Sequence, residues 1–117
     1  MNKIRRFFDR AKEVAEHGDS KDAMRRYRLG AIGVRDDGVI VSASNISTRG
    51  PHPHAHSEVR LTKKLNVGSI VYVVRITRDG KLCSARPCHY CRTTMKMRGV
   101  KRCFYSINEQ EYGVIEW

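Results

Sequence analysis

The 117-residue chain predicts a layered α/β fold built around a mixed β-sheet. Helical and strand-like patterns alternate in the order helix, strand, strand, helix, strand, helix, strand, strand. The run Ile70–Ile76 is almost continuously β-branched or aromatic, which is typical of a strand covered on both faces. Only four residues separate the last two strands. Because a parallel crossover needs a longer connection, these two strands are predicted to form an antiparallel hairpin.

The first half of the chain predicts one helix and one hairpin. Asn2 is suited to cap the helix and Gly18 to end it. The strands Tyr27–Val34 and Val39–Ala43 flank an Asp-Gly pair, and such a pair favours a hairpin turn. The apolar positions of the helix, which recur at i, i+3, i+4 and i+7, are Ile4, Phe7, Phe8, Ala11, Val14 and Ala15.

The second half of the chain predicts two helices and three further strands. Helical patterning begins at about Ala55 and ends near Gly68. A third helix has Pro87 in its first turn and ends at Gly99. The strands are 70–76, 102–107 and 112–117, with a short segment at 81–86. The expected result is one domain over residues 1–117, with a mixed five-stranded sheet and about three helices.

The composition limits the compartment and the partners. Twenty-three Lys and Arg against 12 Asp and Glu give a net charge of +11, which favours an anionic partner. No run of about 18 apolar residues occurs, so we expect no membrane span. The start of the chain is charged and lacks an apolar signal-like stretch, so we expect a cytoplasmic protein. In a reducing compartment the four cysteines favour metal binding over disulfides.

Two short motifs carry the chemistry, His56-Ser57-Glu58 and Pro87-Cys88-His89-Tyr90-Cys91. Cys88 and Cys91 are three apart on a helix, so both thiolates project to one side and can share a metal. One helix and one strand separate His56 from Cys88, and this connection returns the chain to the same edge of the sheet. Three protein ligands leave the fourth zinc position to water, and zinc lowers the pKa of that water to about 7. Glu58 is placed to take its proton.

His-x-Glu followed by Pro-Cys-x-x-Cys is the pattern of zinc nucleobase deaminases. The chain resembles the cytidine and deoxycytidylate deaminase superfamily over essentially its whole length. The resemblance implies a three-layer cytidine-deaminase-like fold and one zinc ion per chain, bound by His56, Cys88 and Cys91. It implies that Glu58 passes the water proton to the ring nitrogen and the departing ammonia, so that a cytosine-type base becomes uracil.

The resemblance also implies where the substrate and other subunits bind. Asn45 matches an asparagine that contacts the sugar in many members, and backbone amides near Ser57 and Cys88 are expected to hold the base. Pro87 and Arg86 complete the expected substrate contacts. Ser57 stands where the family usually has a small apolar residue, and the antiparallel finish resembles nucleoside deaminases. Deaminases of this size often complete their pocket with a neighbouring subunit, so a homo-oligomer is expected.

Other interpretations stay open at this point. A structural zinc would need a fourth protein ligand, and His52, His54, His89 and Cys83 are available. Cys83 is otherwise expected to be a buried thiol in a short strand, and Cys103 a core residue.

Three substrate or ligand classes fit the sequence. The favoured one is a free nucleoside or nucleotide, with Arg86 or Arg49 meeting a phosphate. The alternatives are a deaminase of single-stranded DNA or RNA and a non-enzymatic nucleic-acid-binding module with structural zinc. Candidate stacking residues are His89, Tyr90 and Trp117. The basic residues considered are Lys3, Arg5, Arg6, Arg10, Lys12, Arg25, Arg26, Arg28, Arg92, Lys96, Arg98, Lys101 and Arg102.

Overall fold

The structure, a computed structural model, describes residues 3–17, 27–45 and 57–117. These residues form three helices and six strands. The helices are α1 (Lys3–Glu16), α2 (Ser57–Thr62) and α3 (His89–Arg98). The strands are β1 (Tyr27–Val34), β2 (Ile40–Ser44), β3 (Ile70–Thr77), β4 (Leu82–Cys83), β5 (Arg102–Ser106) and β6 (Tyr112–Glu116).

The six strands form one mixed sheet, as the element order predicts. The strand order is β2-β1-β3-β5-β6, and β4 pairs with β3. The central strand β3 runs antiparallel to β1 and parallel to β5. The terminal pair β5–β6 is an antiparallel hairpin, and the β1–β2 hairpin turns at Gly38 with φ 86°. Both predicted hairpins and the α/β fold class are therefore confirmed.

The sheet has one strand more than the predicted five. The extra strand, β4, has two residues and pairs with Arg75 and Ile76 of β3. A turn at Gly80, with φ 82°, lets the Thr77 amide donate to the Lys81 carbonyl at 2.9 Å. The turn therefore brings residues 82–83 back beside the strand that they have just left.

The helices cover the two faces of the sheet separately. Helix α1 covers one face, called the α1 face, which is built from Phe8, Ala11, Ala15, Ile32, Tyr72, Val74 and Ile76. Helices α2 and α3 cover the other, called the α2/α3 face, which includes Ala31, Val59, Leu61, Val71, Val73, Cys91, Met95 and Cys103. Gly30 allows α1 to approach closely, because a Cβ there would lie 2.2 Å from the Ala11 carbonyl oxygen.

The end of α2 and the start of α3 differ from the sequence prediction. Helix α2 ends at Thr62, well before Gly68, because the chain turns at residues 64–69, where Leu65 donates to the Thr62 carbonyl. Helix α3 begins after Cys88, its N-cap residue, so Pro87 precedes the first turn instead of lying in it. Gly99 ends α3 in the left-handed conformation, as predicted.

Candidate active site

The start of α2 contains a buried carboxylic acid. Every residue of α2 except Arg60 is buried, because the helix lies between the sheet and α3. Glu58 is 3% exposed, and the Ser57 hydroxyl donates to its Oε1 at 2.7 Å. A buried carboxylate is costly unless it is paired or has a chemical role. Ser57 therefore orients the side chain that the sequence proposes as the proton carrier.

The start of α3 contains two cysteines whose sulfur atoms are close together. The Cys88 Sγ donates to the Cys91 Sγ at 3.3 Å. Cys88 is exposed, whereas Cys91 is fully buried. Burial raises the pKa of the Cys91 thiol, and the Glu58 carboxylate raises it further. The surroundings of Cys91 therefore favour its neutral thiol, and a bound cation would favour the thiolate.

This donor pair fits zinc. Two thiolates bound to one tetrahedral zinc at about 2.3 Å lie about 3.8 Å apart, close to the spacing in the structure. Cys88 is the N-cap residue of α3 and Cys91 lies in its first turn, so both sulfur atoms belong to one helix start. Within residues 3–17, 27–45 and 57–117, no group of three or more His, Cys, Asp or Glu side chains has metal-binding geometry. His56, the expected third ligand, lies outside the described residues, immediately before α2.

A cleft of about 290 Å³ joins the two helix starts to the end of the sheet. Both Glu58 and Cys88 line it, together with Leu29, Arg75, Ser84, Ala85 and Arg86. Arg86 is exposed and Arg75 is half-buried. The structure thus brings together the proposed catalytic acid, one proposed zinc ligand and two guanidinium groups. Pro87 is buried between Arg86 and Cys88.

Ser106 holds one wall of this cleft in position. Its hydroxyl, 1% exposed, donates to the Cys83 carbonyl at 2.8 Å, and its own carbonyl accepts from the Ala85 amide at 2.9 Å. Residues 83–85 are therefore attached to the end of β5. Ser84, Ala85 and Arg86 depend on this attachment for their place in the cleft.

Asn45 follows β2 and extends the pairing of β1 and β2. Its Oδ1 accepts from the Leu29 amide at 3.0 Å, and its amide donates to the Leu29 carbonyl at 3.3 Å. Leu29 lines the cleft, so Asn45 lies beside the cleft wall. The sugar contact expected of Asn45 stays a prediction.

The other sequence candidates lie in different places. Cys103 is fully buried, which confirms the core prediction. Cys83 lies in the two-residue β4 and is half-buried, with its Sγ 3.6 Å from the Arg75 carbonyl. His89 is exposed at the start of α3. Four candidates and two helix caps lie outside the described residues: Arg49, His52, His54, His56, Asn2 and Gly18.

Sequence reasoning missed Arg75 and Ser106. Arg75 interrupts an otherwise apolar strand, and alternation along β3 places it on the same face as Val71 and Val73. A charged residue at a core-facing position near a strand end was the available signal for a site residue. Ser106 had no comparable signal, because its partners on residues 83–85 depend on the β4 turn.

The chain matches one protein family over most of its length. Residues 1–107 match the family model of the cytidine and deoxycytidylate deaminase zinc-binding region, so the chain belongs to that family. None of the curated proteins matches the chain.

Solved cytidine deaminases share the fold at low sequence identity. The enzyme from Burkholderia pseudomallei superposes with a TM-score of 0.68 at 16% identity, covering 99% of this chain and 93% of that one. The enzyme from Mycobacterium leprae has a TM-score of 0.67 at 15% identity, covering 99% and 94%. The enzyme from Mycobacterium tuberculosis has a TM-score of 0.60 at 16% identity, covering 91% and 85%. These likenesses show the three-layer fold.

Among residues 3–17, 27–45 and 57–117, no helix has the length and apolar character needed to cross a bilayer.

Proposed function

We propose that this protein is a zinc-dependent hydrolytic deaminase that converts a cytosine-type base to uracil and ammonia. The substrate is a free nucleoside or nucleotide. The observation that carries the proposal is the buried Glu58 carboxylate, which shares one cleft with Cys88 at the starts of two adjacent helices. The family match, whose description names a zinc-binding region, supports the metal.

Four residues of the chain have proposed roles in metal binding and proton transfer. His56, Cys88 and Cys91 hold the zinc ion, which when bound supplies the Lewis acidity that makes water nucleophilic at neutral pH. Glu58 takes one proton from the attacking water and delivers it to the ring nitrogen, and it then carries the second water proton, from the new C4 hydroxyl, to the departing amine. The C4–O bond forms first as the double bond between C4 and the ring nitrogen becomes single, and the exocyclic C4–N bond breaks afterwards, so water and a cytosine-type base give a uracil-type base and ammonia.

The environment of Glu58 suits a proton carrier. The carboxylate is 3% exposed, so bulk water does not compete for its proton. The Ser57 hydroxyl donates to Oε1 at 2.7 Å, which fixes the orientation of the carboxylate. A carboxylate positioned in this way typically contributes roughly 10²- to 10⁴-fold to the rate.

Two arginines on the cleft wall favour a phosphate-bearing substrate. Arg75 and Arg86 line the same cleft as Glu58. Guanidinium groups bind phosphate through paired, charge-assisted hydrogen bonds. We therefore place a nucleotide ahead of an uncharged nucleoside among the free substrates.

The remaining parts of the proposal concern assembly and location. We propose one zinc ion per chain, a single deaminase domain over residues 1–117, a homo-oligomer that completes the pocket, and a cytoplasmic location. All four cysteines are free thiols, which is the state that a reducing compartment maintains.

Glu58→Ala tests the mechanism. We expect zinc content to stay at about one ion per chain, because Glu58 is not a ligand, and ammonia release to fall by roughly 10²- to 10⁴-fold. The assay measures ammonia from bases, nucleosides, nucleotides and oligonucleotides with zinc-loaded protein. Glu13→Ala removes an exposed carboxylate on α1 and should leave activity unchanged.

Full activity in Glu58→Ala would contradict the mechanism. No ammonia release from any substrate by the zinc-loaded wild type would contradict the enzyme itself and favour a structural zinc.

A further inference from the structure

A second cleft, the outer cleft of α3, lies between α3 and the residue that follows the last strand, β6. Its volume is about 240 Å³, and it is lined by His89, Arg92, Thr93, Lys96 and Trp117. Four of these residues come from α3, whereas Trp117 follows the last strand. The Trp117 amide donates to the Lys101 carbonyl at 3.2 Å, which attaches this end of the chain beside α3.

The α3 residues of this cleft form one helical face. Positions 89, 92, 93 and 96 recur at intervals of three and four, so they lie on one side of the helix over two turns, about 10 Å. Arg92 and Lys96 are thus neighbours on the surface. Trp117, 38% exposed, closes the cleft with a flat aromatic side chain.

The charged side chains on the chain segment that contains α3 are all positive. Residues 86–108 contain no Asp or Glu. The acidic residue on β6 nearest to Trp117 in sequence, Glu116, is paired with Arg102 at 3.6 Å. The cations of the segment are Arg86, Arg92, Lys96, Arg98, Lys101 and Arg102.

Cations combined with an exposed aromatic ring are the features that bind single-stranded nucleic acids. Cationic side chains bind the phosphate backbone, and unpaired bases stack on aromatic rings irrespective of sequence. A duplex hides its base faces within the stack, so it uses the cations alone. We propose that the outer cleft of α3 binds a single-stranded nucleic acid, with phosphates at Arg92 and Lys96 and one base stacked on Trp117.

This site goes beyond the proposed deamination of free substrates. It is continuous with the active-site cleft along the chain, because Arg86 and Cys88 line one cleft and His89, the next residue, lines the other. This interaction assigns a binding role at a defined site to part of the chain's net positive charge.

Trp117 reports on this site directly, because it is the one tryptophan of the chain. The experiment titrates the zinc-loaded protein with oligothymidylate or oligouridylate of about 12 nucleotides and follows tryptophan fluorescence. These strands contain no cytosine and are not substrates. We expect saturable quenching by both strands, and weaker affinity for a duplex of the same length and for thymidine monophosphate.

Variants distinguish binding at this cleft from binding by any positively charged surface of the protein. Arg92→Gln/Lys96→Gln should weaken binding and reduce the slope of log affinity against log salt by about 1.4, since each lost phosphate contact removes about 0.7. Lys3→Gln/Arg6→Gln removes the same charge from exposed positions of α1, on the opposite side of the sheet, and should leave the slope unchanged. By fluorescence anisotropy of a labelled strand, Trp117→Ala should weaken binding by about 5- to 150-fold, and Trp117→Phe less.

These variants test strand binding separately from the proposed deaminase activity. All of these variants keep Glu58 and both active-site cysteines, so ammonia release from free substrates should match the wild type. Circular dichroism confirms that each variant is folded. Strand binding without tryptophan quenching, equal salt slopes in the two double variants, or equal affinity for thymidine monophosphate would each overturn the proposal. Strand binding by a zinc-loaded wild type that releases no ammonia from any substrate would instead contradict the proposed function.

Discussion

The two faces of the sheet differ in the side chains that they contain. The α1 face is rich in aromatic rings: Tyr72 stacks on Phe7 at 4.7 Å and on Phe104 at 5.2 Å between ring centroids. The α2/α3 face is built mainly from smaller side chains, including buried alanines, valines and two cysteines. It also contains the buried polar pair Ser57 and Glu58.

This difference indicates a division between stability and chemistry. Large aromatic side chains contribute most of the packing energy on the α1 face. The smaller residues of the α2/α3 face leave room for two helix starts to meet at the end of the sheet. Burying Glu58 costs free energy, and we infer that the apolar packing of both faces offsets this cost.

The largest expected effect on the chemistry comes from replacing a buried cysteine on the α2/α3 face. In Cys91→Ala we expect zinc content to fall from about one ion per chain to near zero, and ammonia release to fall by at least about 1,000-fold with it, because unactivated water is a poor nucleophile at neutral pH. Metal analysis and the ammonia assay measure both effects.

Cys103→Ala is the matched control for that test. Cys103 is equally buried on the same face, but it is not a proposed ligand. It should keep its zinc and its activity per folded molecule. If the two alanine variants lose zinc equally, the assignment of Cys91 as a ligand is wrong.

A substitution on the α1 face should lower stability but leave zinc content and activity unchanged. Phe8 is 1% exposed and packs edge-on against Tyr72 at 6.2 Å. Phe8→Ala should lower the free energy of unfolding by about 3–5 kcal/mol, measured by urea denaturation, because it leaves a cavity under α1.

Zinc content and kcat per folded molecule should be unchanged in Phe8→Ala at a temperature where it remains folded. Loss of zinc from the folded variant would show that the two faces are not separable.

The smallest expected effect concerns the cleft wall. Ser106→Ala removes the hydroxyl that holds the Cys83 carbonyl, so we expect a loss of about 1 kcal/mol in unfolding free energy. Because the wall carries Arg86, we also expect a several-fold fall in kcat/KM.

Ser69→Ala provides the control for Ser106→Ala. Ser69 is also buried and donates to a backbone carbonyl, that of Asn66, at 2.7 Å, but it lies at the opposite end of β3. It should cost similar stability without the kinetic effect. Equal kinetic effects in both variants would contradict a positioning role for Ser106.

Most of the fold could be predicted because its signals are local. The bounds of β1 were predicted to the residue, and the ends of the other long strands to within one, because apolar and β-branched runs end at turn residues. The end of α2 was not predictable, because Leu65 has helical spacing from Leu61 and is buried, yet it lies in a turn. The sheet buries both Leu61 and Leu65, so the spacing of the buried residues is the same as in a longer helix.

The candidate site was predictable in part for the same reason. Helical spacing alone places Cys88 and Cys91 on one side of α3, and Glu58 follows His56 within one motif. The presence of Arg75 in the cleft depends on β3 lying between β1 and β4, and the sequence does not show which strands flank β3. Side-chain orientation toward a shared cleft is a long-range property.

The sequence by itself determined the α/β class, the hairpins and the chemistry proposed for His56, Glu58, Cys88 and Cys91. The tertiary structure alone placed Arg75 in the cleft of Glu58, where Arg86 was already expected, and Arg92 and Lys96 in the cleft of Trp117. The physical reason is that periodicity and motifs act over a few residues, whereas a cleft is formed by elements that only the packed sheet brings together.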